Sequence, residues 1–207
     1  IDAIESVIQA IESYDTTTVR ASVGNWLISK YIKENSNAKV IFNGDGSDEV
    51  TGGYMYFHYA PNALEFDNEC KRLLKDIHYF DVLRSDRSIS SHGLEARTPF
   101  LDKNFIQSYL SIPSKYRFQI MKETKIEKYL LRKAFDNEDT LWSRARPLLP
   151  KDVLWRRKEA FSDGVSTQKE SWFEMIQKYA KEKYKDMNLD GPCCEKYLYR
   201  EIFNKYY

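Results

Sequence analysis

The stretch VIFNGDGSDEVTGGYMYFH, residues 40–58, starts as an apolar run, breaks into a turn carrying Gly44, Gly46, Gly52 and Gly53, and sets Asp45, Asp48 and Glu49 among those glycines. AKVIFNG, residues 38–44, is short, β-branched at its centre and ended by glycine, which predicts a strand. Its apolar residues do not alternate with polar ones, so the strand is expected to be covered on both faces, as in a parallel sheet sandwiched by helices. A strand, a glycine-rich turn and a helix start in succession gather unpaired backbone N–H groups at one spot, an arrangement that attracts phosphate. Ser47 is placed to cap the helix, and acids in its first turn are favoured by the helix dipole. Capping accounts for two of the acids but not for the third. A Mg²⁺ ion, which takes one or two carboxylates together with phosphate oxygens, would turn the cluster to use; a capped turn with exposed acids is the alternative left open at this point.

Outward from that turn, the chain reads as mostly helical. Ile4, Val7, Ile8 and Ile11 repeat at the spacing of one helix face, which predicts a helix over 2–13. A second is expected to run to about Glu34, with Thr16 or Thr17 as its cap. Beyond residue 54, helices are predicted over NALEFDNECKRLLKDIHYF, DVLRSDRSISSHG, KNFIQSYLSIP and TKIEKYLLRKAF. Pro147 and Pro150 mark a loop before KDVLWRRK. TQKESWFEMIQKYAKEKYKD reads as the longest helix, with its charges on a solvated face, and DGPCC as a break before a last helix from about Glu195. No repeat, low-complexity linker or shift in composition interrupts the chain, so residues 1–207 are expected to form a single domain.

Composition narrows the function. The chain has 207 residues, 42% of them hydrophobic and 30% charged, enough to bury a core in an ordinary globular protein. Lys and Arg number 32 against 31 Asp and Glu, a formal charge of +1, so no global field draws the protein to nucleic acid or to an anionic membrane. Any anion binding must be local. The three cysteines, Cys70, Cys193 and Cys194, show no CxxC spacing, which argues against a disulfide framework and a zinc site and fits a reducing compartment. His58, His78 and His92 are scattered. No run approaches the ~18 apolar residues of a membrane span. The first residue is Ile1, not Met, and a helical pattern continues to the last residues, so the sequence is expected to be a piece of a longer protein.

Three further segments carry polar chemistry. SSHGLEARTPFLDKNF places Glu95, Arg97 and Asp102 around a proline turn, as a buried ion-pair network or as part of a polar site. LWRRKEAFSDGVS sets Arg156, Arg157 and Lys158 before an aromatic residue and an SDG turn, which suits phosphate. YDTTTVRAS joins hydroxyls at a helix start with Arg20 about one turn on. Each is ambiguous alone.

In this order, the segments ESYDTTTVRASVGNWLISKYIKEN, VIFNGDGSDEVTGGYMYFHYAPNA, FDVLRSDRSISSHGLEARTPFLD and VLWRRKEAFSDG (Val153–Gly164) resemble the synthetase half of glutamine-hydrolysing asparagine synthetases, most closely the eukaryotic type. The likeness runs nearly continuously from residue 12 to about 172, and more loosely over Tyr197–Tyr207. It implies an α/β fold: the helix-rich portion of an ATP-pyrophosphatase (adenine nucleotide alpha hydrolase-like) parallel-sheet domain, with the N-terminal strands missing. It also implies a cytoplasmic ligase of asparagine biosynthesis, a glutamine amidotransferase that adenylates aspartate with ATP and Mg²⁺ and then lets ammonia displace AMP. The ammonia would come from an N-terminal glutaminase domain of the same chain, and a homodimer is a further expectation.

Carried over by position, the resemblance implies that Asn43, Gly44, Gly46 and Ser47 contact ATP at the strand end. Asp45 stands at the proposed base for ammonia, Asp48 at the acid on Mg²⁺-pyrophosphate with Glu49 near it, and Lys158 at the lysine that binds pyrophosphate. Thr17, Arg20, Asp81 and Arg84 match positions lining the aspartate and nucleotide cleft, Thr17 and Arg20 among the catalytic candidates. Two residues depart from the family pattern: Asp45 stands where glutamate is usual and is one methylene shorter, and Asn43 replaces serine. The SGGxDS phosphate loop and the glutaminase cysteine occur nowhere in these residues. Both are expected upstream of Ile1, so the piece by itself is not expected to turn over. The alternatives are a β-lactam synthetase-like ligase on the same scaffold and a non-catalytic remnant acting as a binding module.

Overall fold

A computed structural model describes residues 1–136, 148–158 and 171–207. In chain order its elements are α1 (Ile4–Ile11), α2 (Thr16–Asn35), β1 (Val40–Phe42), α3 (Ser47–Thr51), α4 (Ala63–Asp76), α5 (Asp81–Ser90), β2 (Glu95–Arg97), α6 (Lys103–Ser111), α7 (Ser114–Thr124), α8 (Tyr129–Phe135), α9 (Lys151–Leu154), α10 (Trp172–Lys183) and α11 (Gly191–Phe203). The chain divides into two compact units, each assembled from separated segments. The first comprises Ile1–Phe42, His78–Arg97 and Glu159–Tyr207; the second comprises Asn43–Ile77 and Thr98–Lys158.

In the first unit the apolar face foreseen for α1 is fully used. Ile4, Val7, Ile8 and Ile11 are buried, and they join Val19 and Val23 of α2, Ile176 and Ala180 of α10, and Leu198, Tyr199 and Ile202 of α11 in one core. β1 pairs in parallel with β2, Val40 opposite Glu95 and Phe42 opposite Arg97. The strand and its parallel partner match the expected sheet type. The expected burial on both faces does not appear: Val40 is 48% and Phe42 82% exposed. Among the described residues the sheet has two strands, and the side chains at positions 40 and 42, which share a face by the period-2 rule, have no covering layer there.

In the second unit α4 and α7 pack around Phe57, Phe66, Cys70 and Met121. α7 is a helix that periodicity did not reveal. The helix predicted over 124–135 forms only from Tyr129, as α8; its first residues are a break between α7 and α8, because Lys125 and Lys128 both take positive φ (53° and 57°).

The termini of the helices correct several expectations. Asp15, not Thr16 or Thr17, caps α2 by accepting from the Thr18 N–H at 2.8 Å. Its position just before the helical residues lets its carboxylate reach back to the open N–H groups. DGPCC starts α11 where a break was expected: Asp190 accepts from the Cys193 N–H at 2.7 Å and Pro192 lies in the first turn, where its missing N–H costs no bond. The described part of TQKESWFEMIQKYAKEKYKD is α10, 12 residues opened by a capping box at Ser171 and Glu174, and it is shorter than the 20-residue α2. Residues 167–170, Pro147 and Glu159–Gly164 of the predicted motifs lie outside the described residues.

Candidate functional site

β1 ends at Phe42, and the next residue shapes the turn. The Asn43 amide donates from Nδ2 to Asp45 Oδ2 at 2.9 Å, while its Oδ1 accepts from the Asp45 N–H at 2.9 Å, a closed ring that folds the backbone back. Gly46 follows at φ 88°, a conformation that disfavours side chains, and a Cβ there would lie 2.2 Å from Leu101 Cδ2. Ser47 does not cap α3, as the sequence suggested. Gly46 is the capping residue without a side-chain bond, and the Ser47 hydroxyl instead accepts from Lys128 Nζ at 2.9 Å. α3 has only five residues, so its dipole is short and side-chain charges dominate the electrostatics of the turn.

Those charges converge on Asp48. Lys128 Nζ lies 3.2 Å from its Oδ2 and Lys158 Nζ 3.5 Å from its Oδ1. Lys158 also stands 4.9 Å above the Tyr54 ring, and the Tyr54 hydroxyl donates to Glu49. Asp48, Lys128 and Lys158 each keep 21% side-chain exposure, so the cluster is open to a small anion, whereas Glu49 is buried at 3%. Gly53 makes room for the Asp48 carboxylate, since a Cβ at that position would lie 2.2 Å from Oδ1. Among the described residues Oδ1 is buried and has no hydrogen-bond partner, although Lys158 lies within ion-pair distance. The repulsion between neighbouring acids is therefore relieved on Asp48 by two ammonium groups and on Glu49 by a phenol.

Thr17, Arg20, Asp81 and Arg84 lie in the first unit. Thr17 is exposed on the first turn of α2. Arg20, one turn further, is gripped by Glu195 of α11 through Nε at 2.6 Å and through Nη2, and its guanidinium lies 5.4 Å from the Phe173 ring centre. The hydrogen bonds to Glu195 hold the Arg20 pKa above its ordinary value, outweighing burial. Asp81 and Arg84 form an ion pair with each other at the start of α5. Of the three residues singled out around the proline turn, Glu95 and Arg97 belong to the first unit and Asp102 to the second, and the expected burial of their charges is not found for the first two. Glu95 and Arg97 pair at 2.7 Å with both side chains 60% exposed, because alternate residues of β2 point to the same open face. Asp102 caps α6 through the N–H groups of Asn104 and Phe105.

The structure thus brings Asn43, Gly44, Asp45, Gly46, Ser47, Asp48, Glu49 and Lys158 into one unit and adds two residues that sequence reasoning passed over. Lys128 was hidden in an amphipathic lysine-rich stretch, and its left-handed φ has no sequence signature. Glu195 had one: it precedes Leu198, Tyr199 and Ile202 at helical spacing, an acid on an otherwise apolar face.

Comparison with known proteins decides the kinship. The sequence profile of the family described as Asparagine synthase matches residues 1–69 and 60–207. The chain belongs to the asparagine synthase family. Among curated family members, "Asparagine synthetase [glutamine-hydrolyzing]" of Gallus gallus is 47% identical over 217 residues, that of Cricetulus griseus 46% and that of Homo sapiens 45%. Each of these matches takes in 100% of this chain and 37% of the relative's length. The family domain seen here is helix-rich with a small parallel sheet, consistent with an α/β fold. No helix among the described residues is long and apolar enough to cross a membrane.

Proposed function

We propose that this chain is the part of a glutamine-hydrolysing asparagine synthetase that activates aspartate with ATP, on an ATP-pyrophosphatase-type sheet, and passes the acyl group to ammonia. In that reaction a side-chain carboxylate oxygen of aspartate bonds to the α-phosphorus of ATP and the bond to the bridging oxygen breaks, releasing pyrophosphate. Ammonia then attacks the acyl carbon, AMP leaves with the bonding pair, and a proton is lost from nitrogen. A carboxylate is a poor acyl donor and its phosphoryl anhydride a good one, so the protein's task is to orient the reactants and balance the charge of the departing groups.

The observation that carries this reading is the approach of Lys128 and Lys158 to Asp48, 3.2 and 3.5 Å away, at the end of a parallel strand. Two ammonium groups fixed by one carboxylate form a preset cationic wall for a diphosphate, as compact charges that tolerate several oxygen positions. Asn43 and Gly44 offer the turn's amides, and nothing lies within 4 Å of where a Gly44 side chain would begin, so a nucleotide can approach the backbone there. Asp45, which accepts from the Asn43 amide on Oδ2, is the candidate base for the proton lost from nitrogen.

Asp48 with its unbonded Oδ1, and Glu49 beside it, are the residues that would hold Mg²⁺, which supplies charge neutralisation at phosphate oxygens when bound. A cytoplasmic setting and ammonia delivered by a glutaminase domain of the same chain belong to the same proposal.

The test is aspartate-dependent exchange of labelled pyrophosphate into ATP by the full-length protein, with asparagine as the product when ammonia or glutamine is supplied. Exchange that depends on aspartate supports the reading. Pyrophosphate release that ignores aspartate, or a cyclic amide product from another amino acid, would overturn it.

A further inference from the structure

The Arg20–Glu195 pair stands out in the first unit because stability alone does not explain it. Glu195 is completely buried, on the same face of α11 as Leu198 and Ile202, where an apolar residue would pack without a desolvation cost. A buried ion pair contributes little over such a replacement. Even so, the surroundings are committed to this carboxylate: besides the two bonds from Arg20, the Tyr199 hydroxyl donates to Oε1 at 3.0 Å and the Gln177 amide to Oε2 at 3.3 Å. Arg20 in turn meets three neighbours: Glu195 along its Nε–Nη2 edge, the Phe173 ring 5.4 Å from its guanidinium carbon, and the Trp172 indole N–H, which donates to its backbone carbonyl at 3.3 Å.

This is a guanidinium with one edge fixed by Glu195 and one nitrogen, Nη1, outside that grip among the described residues. Its side chain keeps 27% exposure although its partner has none. Thr17 precedes it by three residues, on the same face of α2 and exposed. A planar cation fixed in one rotamer, with a hydroxyl a turn away at the positive end of a 20-residue helix, has the chemistry to receive an oxyanion. We propose that Glu195 is a positioning residue: it aims Arg20, with Thr17 beside it, at an oxyanion of the substrates, either a carboxylate of aspartate or a phosphate of ATP. The inference rests on the amidation reading above and adds to it a residue that touches no substrate.

The experiment measures aspartate-dependent pyrophosphate exchange in the full-length protein, with KM for aspartate and for ATP obtained separately, in Glu195→Gln, Glu195→Asp, Arg20→Ala and the Arg20→Ala/Glu195→Gln double variant. Gln keeps the shape and hydrogen-bonding capacity of the buried group but not its charge; Asp keeps the charge and carries the comparison if the Gln variant does not fold. In Glu195→Gln, KM for one of the two substrates is expected to rise about tenfold, which identifies the oxyanion, and Glu195→Asp is expected to recover part of the loss. In the Arg20→Ala background Glu195→Gln is expected to add less than about twofold, because the residue it acts through is gone. Both KM values within about twofold of the parent, with kcat falling only as the folded fraction falls, would overturn the inference and leave the amidation reading standing, as would losses that multiply in the double variant. A parent protein without aspartate-dependent exchange would overturn both.

Discussion

Asp48 and Asp67, two acids of the second unit, each lie between two cations, and they have opposite characters. Asp67 meets Lys71 at 2.6 Å and the Arg117 guanidinium, whose side chain is 2% exposed and is also held by its Nε on the Ile112 carbonyl at 2.9 Å. Every partner comes from α4, α7 or Ile112, two residues before α7, and both carboxylate oxygens are engaged. Asp48 meets two lysines that arrive on long side chains from the start of α8 and from beyond α9, and one of its oxygens makes no hydrogen bond among the described residues. A network built on a buried guanidinium holds helices together. An open one at similar charge balance keeps cations ready for another anion.

Stability gives the largest expected separation between the two. Replacing Asp67 by Ala strands the Arg117 charge in the interior and is expected to lower unfolding free energy by about 3–5 kcal/mol. Replacing Asp48 by Ala, where the lysines can turn to water, is expected to change it by no more than about 1 kcal/mol. Urea unfolding of both variants checks this, and equal losses would erase the distinction.

Catalysis is expected to sort them the other way. Lys158→Ala should cost about a hundredfold in aspartate-dependent pyrophosphate exchange, the scale of one lost electrostatic donor at a developing charge. Lys128→Ala, which also releases Ser47, should cost about tenfold, with added salt weakening the parent more than the variant. An unaffected exchange rate in Lys128→Ala would show that it only braces the turn.

Acid is expected to act on the Asp67 network. Burial pushes the Asp67 carboxyl up, and the hydrogen bonds from Lys71 and Arg117 more than offset this, so its pKa lies below the ordinary value. A depressed folded-state pKa means that the stabilisation is complete above the unfolded pKa, about 3.9, and is lost as pH falls through the lower folded value. The urea midpoint should therefore owe no pH dependence to Asp67 between pH 5 and pH 7 on the ~3.9 reference and should fall in stronger acid. Asp67→Asn should remove that component. The smallest effect belongs to the exposed Glu95–Arg97 pair, where Arg97→Ala is expected to shift stability by less than about 0.5 kcal/mol in the same titration.

Much of this was legible in the residues. The strand at Val40–Phe42 and the glycine turn after it follow from local chemistry, as do the apolar face of α1 and the long helix α2, because each is set by neighbours a few positions apart. The capping error at Thr16 came from choosing one polar residue where the adjacent Asp15 had the better reach, and the one at Ser47 from a hydroxyl that is engaged by Lys128 instead. α7 escaped notice since its buried residues, Arg117 and Met121, include a charge that periodicity counts as surface. Lys158 was singled out from its motif, whereas Lys128 and Glu195 were not, because their partners lie 80 and 175 positions away.

By itself the sequence determined α1, α2, the strand at Val40–Phe42 and the glycine turn after it, and through its ordered motifs the family, since these depend on short-range spacing. Tertiary structure alone decided which charges meet. It chose Lys128 as well as Lys158 for Asp48, Arg117 for Asp67 and Glu195 for Arg20. Coulomb and hydrogen-bond energies depend on distance in space, and a folded backbone sets that distance without regard to separation along the chain.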